Sequence, residues 1–259
     1  MKNLCLDILA AFTALTRLPF WRIKQVPKEH FRHITDHWSL VGWLTGGVMA
    51  GVLWLAGQLF PMPVAVVLAF IARLLVTGAL HEDGLMDICD GFGGGHSRER
   101  ILEIMKDSHT GAYATIGFVA YALLWVSLLS FFPLEMAIAV VMMADPLGKF
   151  VASHIPMLLP YARKEEESKM QVEYRHLPPL YKWLMSALFG LLPLVVMSHR
   201  FFEGFLPYLI LIGVPLVVLI SLVWMYQKRI KGYTGDCIGA TFLLCELGIY
   251  IGVYFVNNL

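Results

Sequence analysis

A chain of 259 residues that is 58% apolar, only 15% charged and of mean hydropathy +0.67 carries too much apolar surface for one aqueous core, since soluble domains are about 45–50% apolar and about 25% charged. These figures exclude a soluble globular domain and point to an all-α integral membrane protein, a single polytopic domain over 1–259. Twenty basic and 19 acidic residues leave a net charge of +1, which excludes long-range attraction to nucleic acid.

In chain order, Leu4–Phe20 is apolar but interrupted by Asp7 and Arg17, so it reads as an amphipathic helix at the membrane interface. It lacks the compact apolar stretch and small-residue cleavage site of a signal peptide. The arm 1–38 then carries His30, His33 and His37 at i, i+3 and i+7, a spacing that admits zinc but fits a plain amphipathic face beside Arg32 better. A helix crossing hydrocarbon needs about 20 mostly apolar residues, and seven such runs follow: Ser39–Phe60, Pro63–Leu80, Ala112–Phe132, Leu134–Leu159, Leu180–Met197, Phe205–Tyr226 and Asp236–Val256. Trp38, Trp183, Tyr208 and Tyr226 sit near span ends as interfacial anchors, and the acidic run 165–167 reads as a solvated loop. Cys5, Cys89, Cys237 and Cys245 form no CxxC pair and no metal-ligand spacing, which argues against a disulfide framework.

Orientation follows from Lys and Arg, which concentrate in cytoplasmic loops. The arm 1–38 and the loops 81–111, 160–182 and 227–235 together hold seventeen; the intervening loops hold Arg200 alone. This places the N-terminus and the large loops in the cytoplasm.

The stretch Thr77–Gly95 holds the densest polar chemistry. Asp83, Asp87 and Asp90 stand at i, i+4 and i+7, so if the second span continues as a helix across the membrane surface they line one face. No base lies between Arg73 and Arg98, and stacked carboxylates require an external cation; hard oxygen donors favour magnesium, manganese or calcium. His81 and Glu82 adjoin the stripe but point elsewhere. Gly91-Phe-Gly-Gly-Gly95 is too glycine-rich for a stable helix interior, so 81–111 is expected to be an acidic, glycine-rich catalytic loop. Gly93 and Gly94 there could offer amides to phosphate oxygens, or act as a hinge. Ser97 reads as the N-cap of a helix bearing Arg98, Arg100 and Lys106, on the same side as the aspartates. Asp107 precedes the third span, and Asp236 opens the seventh, either as a further metal ligand or as a helix cap. Carboxylates for a divalent metal beside glycines and bases for phosphate suit transfer at a pyrophosphate.

Two other classes compete. Asp87-x-x-Asp90-Gly91 is reminiscent of membrane CDP-alcohol phosphotransferases, although the Ala-Arg pair after the first glycine is replaced by Gly93-Gly-Gly-His96. Arg73, Asp145, Lys149 and Glu246 fall within spans, where charge is costly and suggests a cation-coupled transporter; Asp145 and Lys149, four apart, could equally neutralise each other.

Four blocks of the chain resemble the cobalamin synthase family of the bacterial inner membrane: Thr16-Arg-Leu-Pro19, Gly78-Ala-Leu-His-Glu-Asp-Gly-Leu-Met-Asp-Ile-Cys-Asp-Gly91, Glu103-Ile-Met-Lys-Asp-Ser108 with Gly111, and Gly232-Tyr-Thr-Gly-Asp236 with Gly239-Ala240. Glu82 and Tyr233 depart from the usual pattern. The resemblance implies a magnesium-dependent transferase that joins adenosylcobinamide-GDP to α-ribazole or its 5′-phosphate and releases GMP at the cytoplasmic face. It implies Asp83, Asp87 and Asp90 as metal ligands, completed by Asp236 or Asp107, a carboxylate or His81 as general base, and Arg98, Arg100 and Lys106 on the GDP phosphates. Other late enzymes of the cobalamin pathway and a second copy of the chain are the protein partners it suggests.

Overall fold

The computed structural model describes residues 2–163, 174 and 177–258; the expectations for Lys164, the acidic run 165–167, Lys169 and Arg175 lie outside the described residues. Helix α1 (Lys2–Leu15) is followed by 3-10 turns at Phe20–Arg22 and Lys28–His37. Then come α2 (Trp38–Gly57), α3 (Met62–Thr77), α4 (Leu80–Gly94), α5 (Arg98–Ile104), α6 (Ala112–Phe131), α7 (Leu134–Ala152), the short α8 (Ile155–Leu158), α9 (Leu180–Phe201), α10 (Leu206–Ile230) and α11 (Gly235–Asn257). Six helical stretches are long and apolar enough to cross a membrane, and the bent pair α3–α4 makes a seventh. Among the described residues the extended structure is one isolated parallel bridge, Tyr161 to Tyr233.

Helices α7 and α11, each 78% buried over their most apolar window, form the centre, while α6, α9 and α10, 22–28% buried, form the rim. The rim exposes Leu123, Leu188, Val217 and Ile220, as helices apolar on every side must when lipid surrounds them. Helix α1, about 21 Å long at 1.5 Å per residue, is too short to cross. It packs on the 3-10 turn Lys28–His37 and turns Asp7 inward, where that carboxylate accepts hydrogen bonds from His30 Nδ1 (2.6 Å) and Lys182 Nζ (2.7 Å). His33 bonds Asp36 instead (3.2 Å). These histidines therefore belong to an ion-pair network.

The second span does not continue into the aspartate helix. Gly78 (φ +67°) and Ala79 (φ +56°) turn the chain, and α4 leaves α3 at 92°. The left-handed alanine costs about 1–2 kcal/mol, offset by the packing of α4 against α11 and α6. The expected loop 81–111 is instead α4, α5 and a turn, and α4 runs through Gly91, Gly93 and Gly94. Helix propensity fails there because the glycines are contact points: a Cβ would lie 2.5 Å from Met105 Cγ at Gly91 and 2.5 Å from Tyr113 Cγ at Gly93. Close packing outweighs a propensity cost of about 1 kcal/mol per glycine.

The charges within spans are paired. Lys149 bonds Asp145 one turn away and Thr45 Oγ1 (2.7 Å). Arg73, wholly buried, donates to Glu246 Oε2 (2.6 Å) and to Tyr121 Oη (2.7 Å), lies 2.9 Å from Glu82 Oε1, and packs against Phe70 and Trp125. Tyr250 Oη and Trp125 Nε1 also donate to Glu246. These residues bolt α3, α6 and α11 together and tether Glu82, at the start of α4, to that frame.

Candidate functional site

Helix α4 is the organising element. At 100° per residue, Asp83, Asp87 and Asp90 fall within an arc of about 60°, so the one-face expectation holds for the isolated helix. Asp83 is exposed; Asp87 and Asp90 are half-buried. His81 lies about 160° from Asp83 around the helix, buried against Trp38 and Phe242. The flank between the aspartates and His81 carries Gly84, where a Cβ would stand 3.0 Å from Asp236 Cα. That close approach brings the first turn of α11 beside Asp87, one turn along α4 from Gly84. Asp236 itself is buried and accepts from Thr234 Oγ1 (3.3 Å).

Asp90 closes the other flank. Its Oδ2 accepts from Gly111 N–H (2.6 Å) and its Oδ1 from Ala114 N–H (2.8 Å), so it caps α6 from across the site, where the helix N-terminus favours an anion. Gly111 makes room: a Cβ there would sit 2.6 Å from Asp90 Oδ1. Gly111→Ala is expected to push the carboxylate off the helix end and lower stability by about 1–2 kcal/mol, the usual loss of a cap. Thermal unfolding in lipid measures this, and an unchanged midpoint would show that the cap is dispensable.

The basic residues divide. Arg98 turns inward, its Nε donating to Ile230 O (2.9 Å) and its Nη2 to Ala162 O (2.9 Å); reciprocally, Arg229 of α10 donates to Phe92 O (3.2 Å) and Gly95 O (2.8 Å) at the end of α4. Each arginine satisfies a carbonyl at another helix's C-terminus, and Arg98 also holds the segment at Ala162, so Arg98 serves the frame. Arg100 remains exposed, paired with Glu103 (2.7 Å), and Lys106 is exposed too. Gly93 and Gly94 lie inside α4, where amides are engaged along the helix rather than gathered toward a phosphate. Asp107 accepts from the His109 imidazole (2.6 Å) and backbone N–H (3.0 Å). Those bonds hold the Asp107 carboxyl below its ordinary range and push His109 up; this exposed pair lies in the turn before α6, a few residues ahead of the Gly111 amide that bonds Asp90.

Several contributors carry no obvious local signal. Arg17 donates its amide to Val76 O (2.7 Å) and packs so tightly on Gly78 that a Cβ there would meet its Nε at 2.2 Å. With Thr16, Trp21, Asp83, Met86 and Phe118 it lines a solvent-connected recess of about 1300 Å3 beside the aspartates. Segments near 16–21, 78–94, 103–114 and 232–240 thus converge on α4. Gly84 was findable as a small residue among the aspartates, but its partner Asp236 is far away in sequence.

The cobalamin-5-phosphate synthase family model matches residues 7–254. The chain is 39% identical over 251 residues to the adenosylcobinamide-GDP ribazoletransferase of Leptothrix cholodnii, covering 93% of this chain and 92% of the relative. Corresponding figures are 36% over 255 residues (94% and 92%) for the enzyme of that name from Shewanella amazonensis. For that of Leptospira interrogans they are 31% over 243 residues (92% and 91%). No solved structure matches the chain.

Proposed function

The chain belongs to the cobalamin-5-phosphate synthase family, and we propose that it is an adenosylcobinamide-GDP ribazoletransferase, joining adenosylcobinamide-GDP to α-ribazole or its 5′-phosphate with release of GMP. Relatives of that name over more than nine-tenths of the chain support the reaction. The arc of Asp83, Asp87 and Asp90, set where α6 and α11 begin, supports the site.

The donor set suits Mg2+. Among the described residues no three His, Cys, Asp or Glu side chains form a closed metal cage, and Mg2+ is ordinarily held by one or two carboxylates with substrate phosphates completing its shell. Asp83 and Asp87 would hold it. Asp90 keeps acceptor capacity beyond its two amides, since a carboxylate has about four lone-pair sites, and Asp236 stands at the far edge of the arc. When bound, Mg2+ neutralises the equatorial oxygens of the phosphorus under attack and steadies the departing phosphate.

A ribose hydroxyl of the acceptor forms the new O–P bond at the phosphorus carried by the cobinamide. The bridging P–O bond to GMP breaks, and the hydroxyl proton passes to a carboxylate oxygen. His81, turned to the far side of α4, is poorly placed for that proton, which favours a carboxylate as base. Arg100 and Lys106, both exposed, would meet the guanosine diphosphate. The excess of Lys and Arg in the loops on this side supports a cytoplasmic active site in a bacterial inner membrane.

Purified protein in lipid, given adenosylcobinamide-GDP, α-ribazole and magnesium, is expected to form cobalamin and GMP in equal amounts. Chelator should stop the reaction and added Mg2+ restore it. No product from folded protein would overturn the transferase assignment, and undiminished product under chelation would overturn the metal.

A further inference from the structure

Behind α4, on the side away from the aspartates, a solvent-connected cavity of about 730 Å3 is lined by Trp38, His81, Tyr161, Arg163, Tyr174 and Asp236, among others. His81 is only 3% exposed. Its ring centroid lies 5.4 Å from that of Trp38 and 5.0 Å from that of Phe242. Neither ring nitrogen has a hydrogen-bond partner among the described residues. An imidazole buried without a partner carries a desolvation cost that a bound polar group would offset. The cavity combines flat aromatic walls with a few polar groups, the composition of a small-molecule site.

We propose that this cavity binds the nucleoside acceptor: its flat heteroaromatic base lies against the aromatic side chains and bonds a ring nitrogen of His81, while its ribose reaches past Asp236 toward Asp87. The inference rests on the transferase assignment above. Size excludes the donor, because the 730 Å3 includes the cavity's open mouth and even that full space is too small for a corrin bearing a guanosine diphosphate tail, which leaves the smaller, flat-based acceptor. Placement agrees. Asp236 lines the cavity and touches α4 at Gly84, while the recess of about 1300 Å3 opens on the other flank of α4 beside Asp83. Phosphoryl transfer needs attacking and leaving oxygens roughly in line on opposite sides of the phosphorus; two recesses flanking one carboxylate-bearing helix allow acceptor and donor to approach so.

Two variants test it. His81→Phe keeps an aromatic ring between Trp38 and Phe242 but removes both nitrogens. Gly235→Leu grows into the cavity, since among the described residues a Cβ there meets only Tyr174 Oη, at 3.9 Å. Both are expected to raise KM for α-ribazole about tenfold or more, the worth of one good polar contact, with KM for adenosylcobinamide-GDP within about twofold. His81→Gln should recover part of the loss. Equilibrium binding of labelled α-ribazole, without donor or magnesium, should weaken in step. Active variants with unchanged acceptor KM and binding, or with the donor KM raised instead, would overturn the inference and leave the transferase assignment standing. A wild type that makes no cobalamin would sink that assignment, and α-ribazole binding lost in the variants would still locate the cavity as a nucleoside site.

Discussion

Asp87→Asn is expected to lower kcat/KM for cobalamin formation by about a thousandfold or more in protein that still folds. Charge stabilisation by a metal ion is worth several kcal/mol in a phosphoryl-transfer transition state, and each 1.36 kcal/mol is tenfold in rate. Asparagine keeps the shape of the side chain but removes the charge that would hold Mg2+. Asp87 is half-buried on the outer arc of α4, and the substitution leaves no cavity there. Asp145→Asn should do the reverse. It strikes a wholly buried pair with Lys149, so the loss falls on stability. A transporter would show the opposite order, with Asp145 and Glu246 essential and Asp87 tolerant.

Arg73→Met should carry the largest structural cost, about 3–5 kcal/mol, because it strands Glu246 and Glu82 in the interior without their cation. Arg73 and Glu246 are both 0% exposed and Glu82 is 2% exposed, so water cannot replace the lost partner. A fall in Tm of roughly 10 °C is expected, using about 2–4 °C per kcal/mol for a chain of this order of size. Adding Glu246→Gln should restore part of it, since removing both members of a buried pair costs less than removing one. An equal drop in the single and double variants would show that Arg73 acts through packing on Phe70 and Trp125 alone.

The spans were legible because apolar length is a local property. The i, i+4 and i+7 spacing of Asp83, Asp87 and Asp90, and the different facing of His81, needed only a helical period. The Asp145–Lys149 pair was readable as a possibility for the same reason. The break at Gly78–Ala79 was not, because an alanine in a left-handed conformation has no sequence signature. The glycines of α4 were misread as loop because the neighbours that reward their small size, Met105 and Tyr113, belong to other elements. Asp90 and Arg98 have the composition of ligands to a metal and a phosphate, yet their hydrogen-bonding partners lie 21 to 132 residues away. Arg73 and Glu246, 173 residues apart, looked like transport charges for want of a partner visible in the sequence.

The aspartate arc is tested most directly by Mn2+ binding, followed by electron paramagnetic resonance on protein in lipid with adenosylcobinamide-GDP present. Wild type is expected to bind Mn2+ in a form that Mg2+ displaces, and Asp87→Asn to lose that binding while remaining folded. Equal binding in wild type and Asp87→Asn would place the metal elsewhere and contradict the assignment of α4 as the metal-bearing helix.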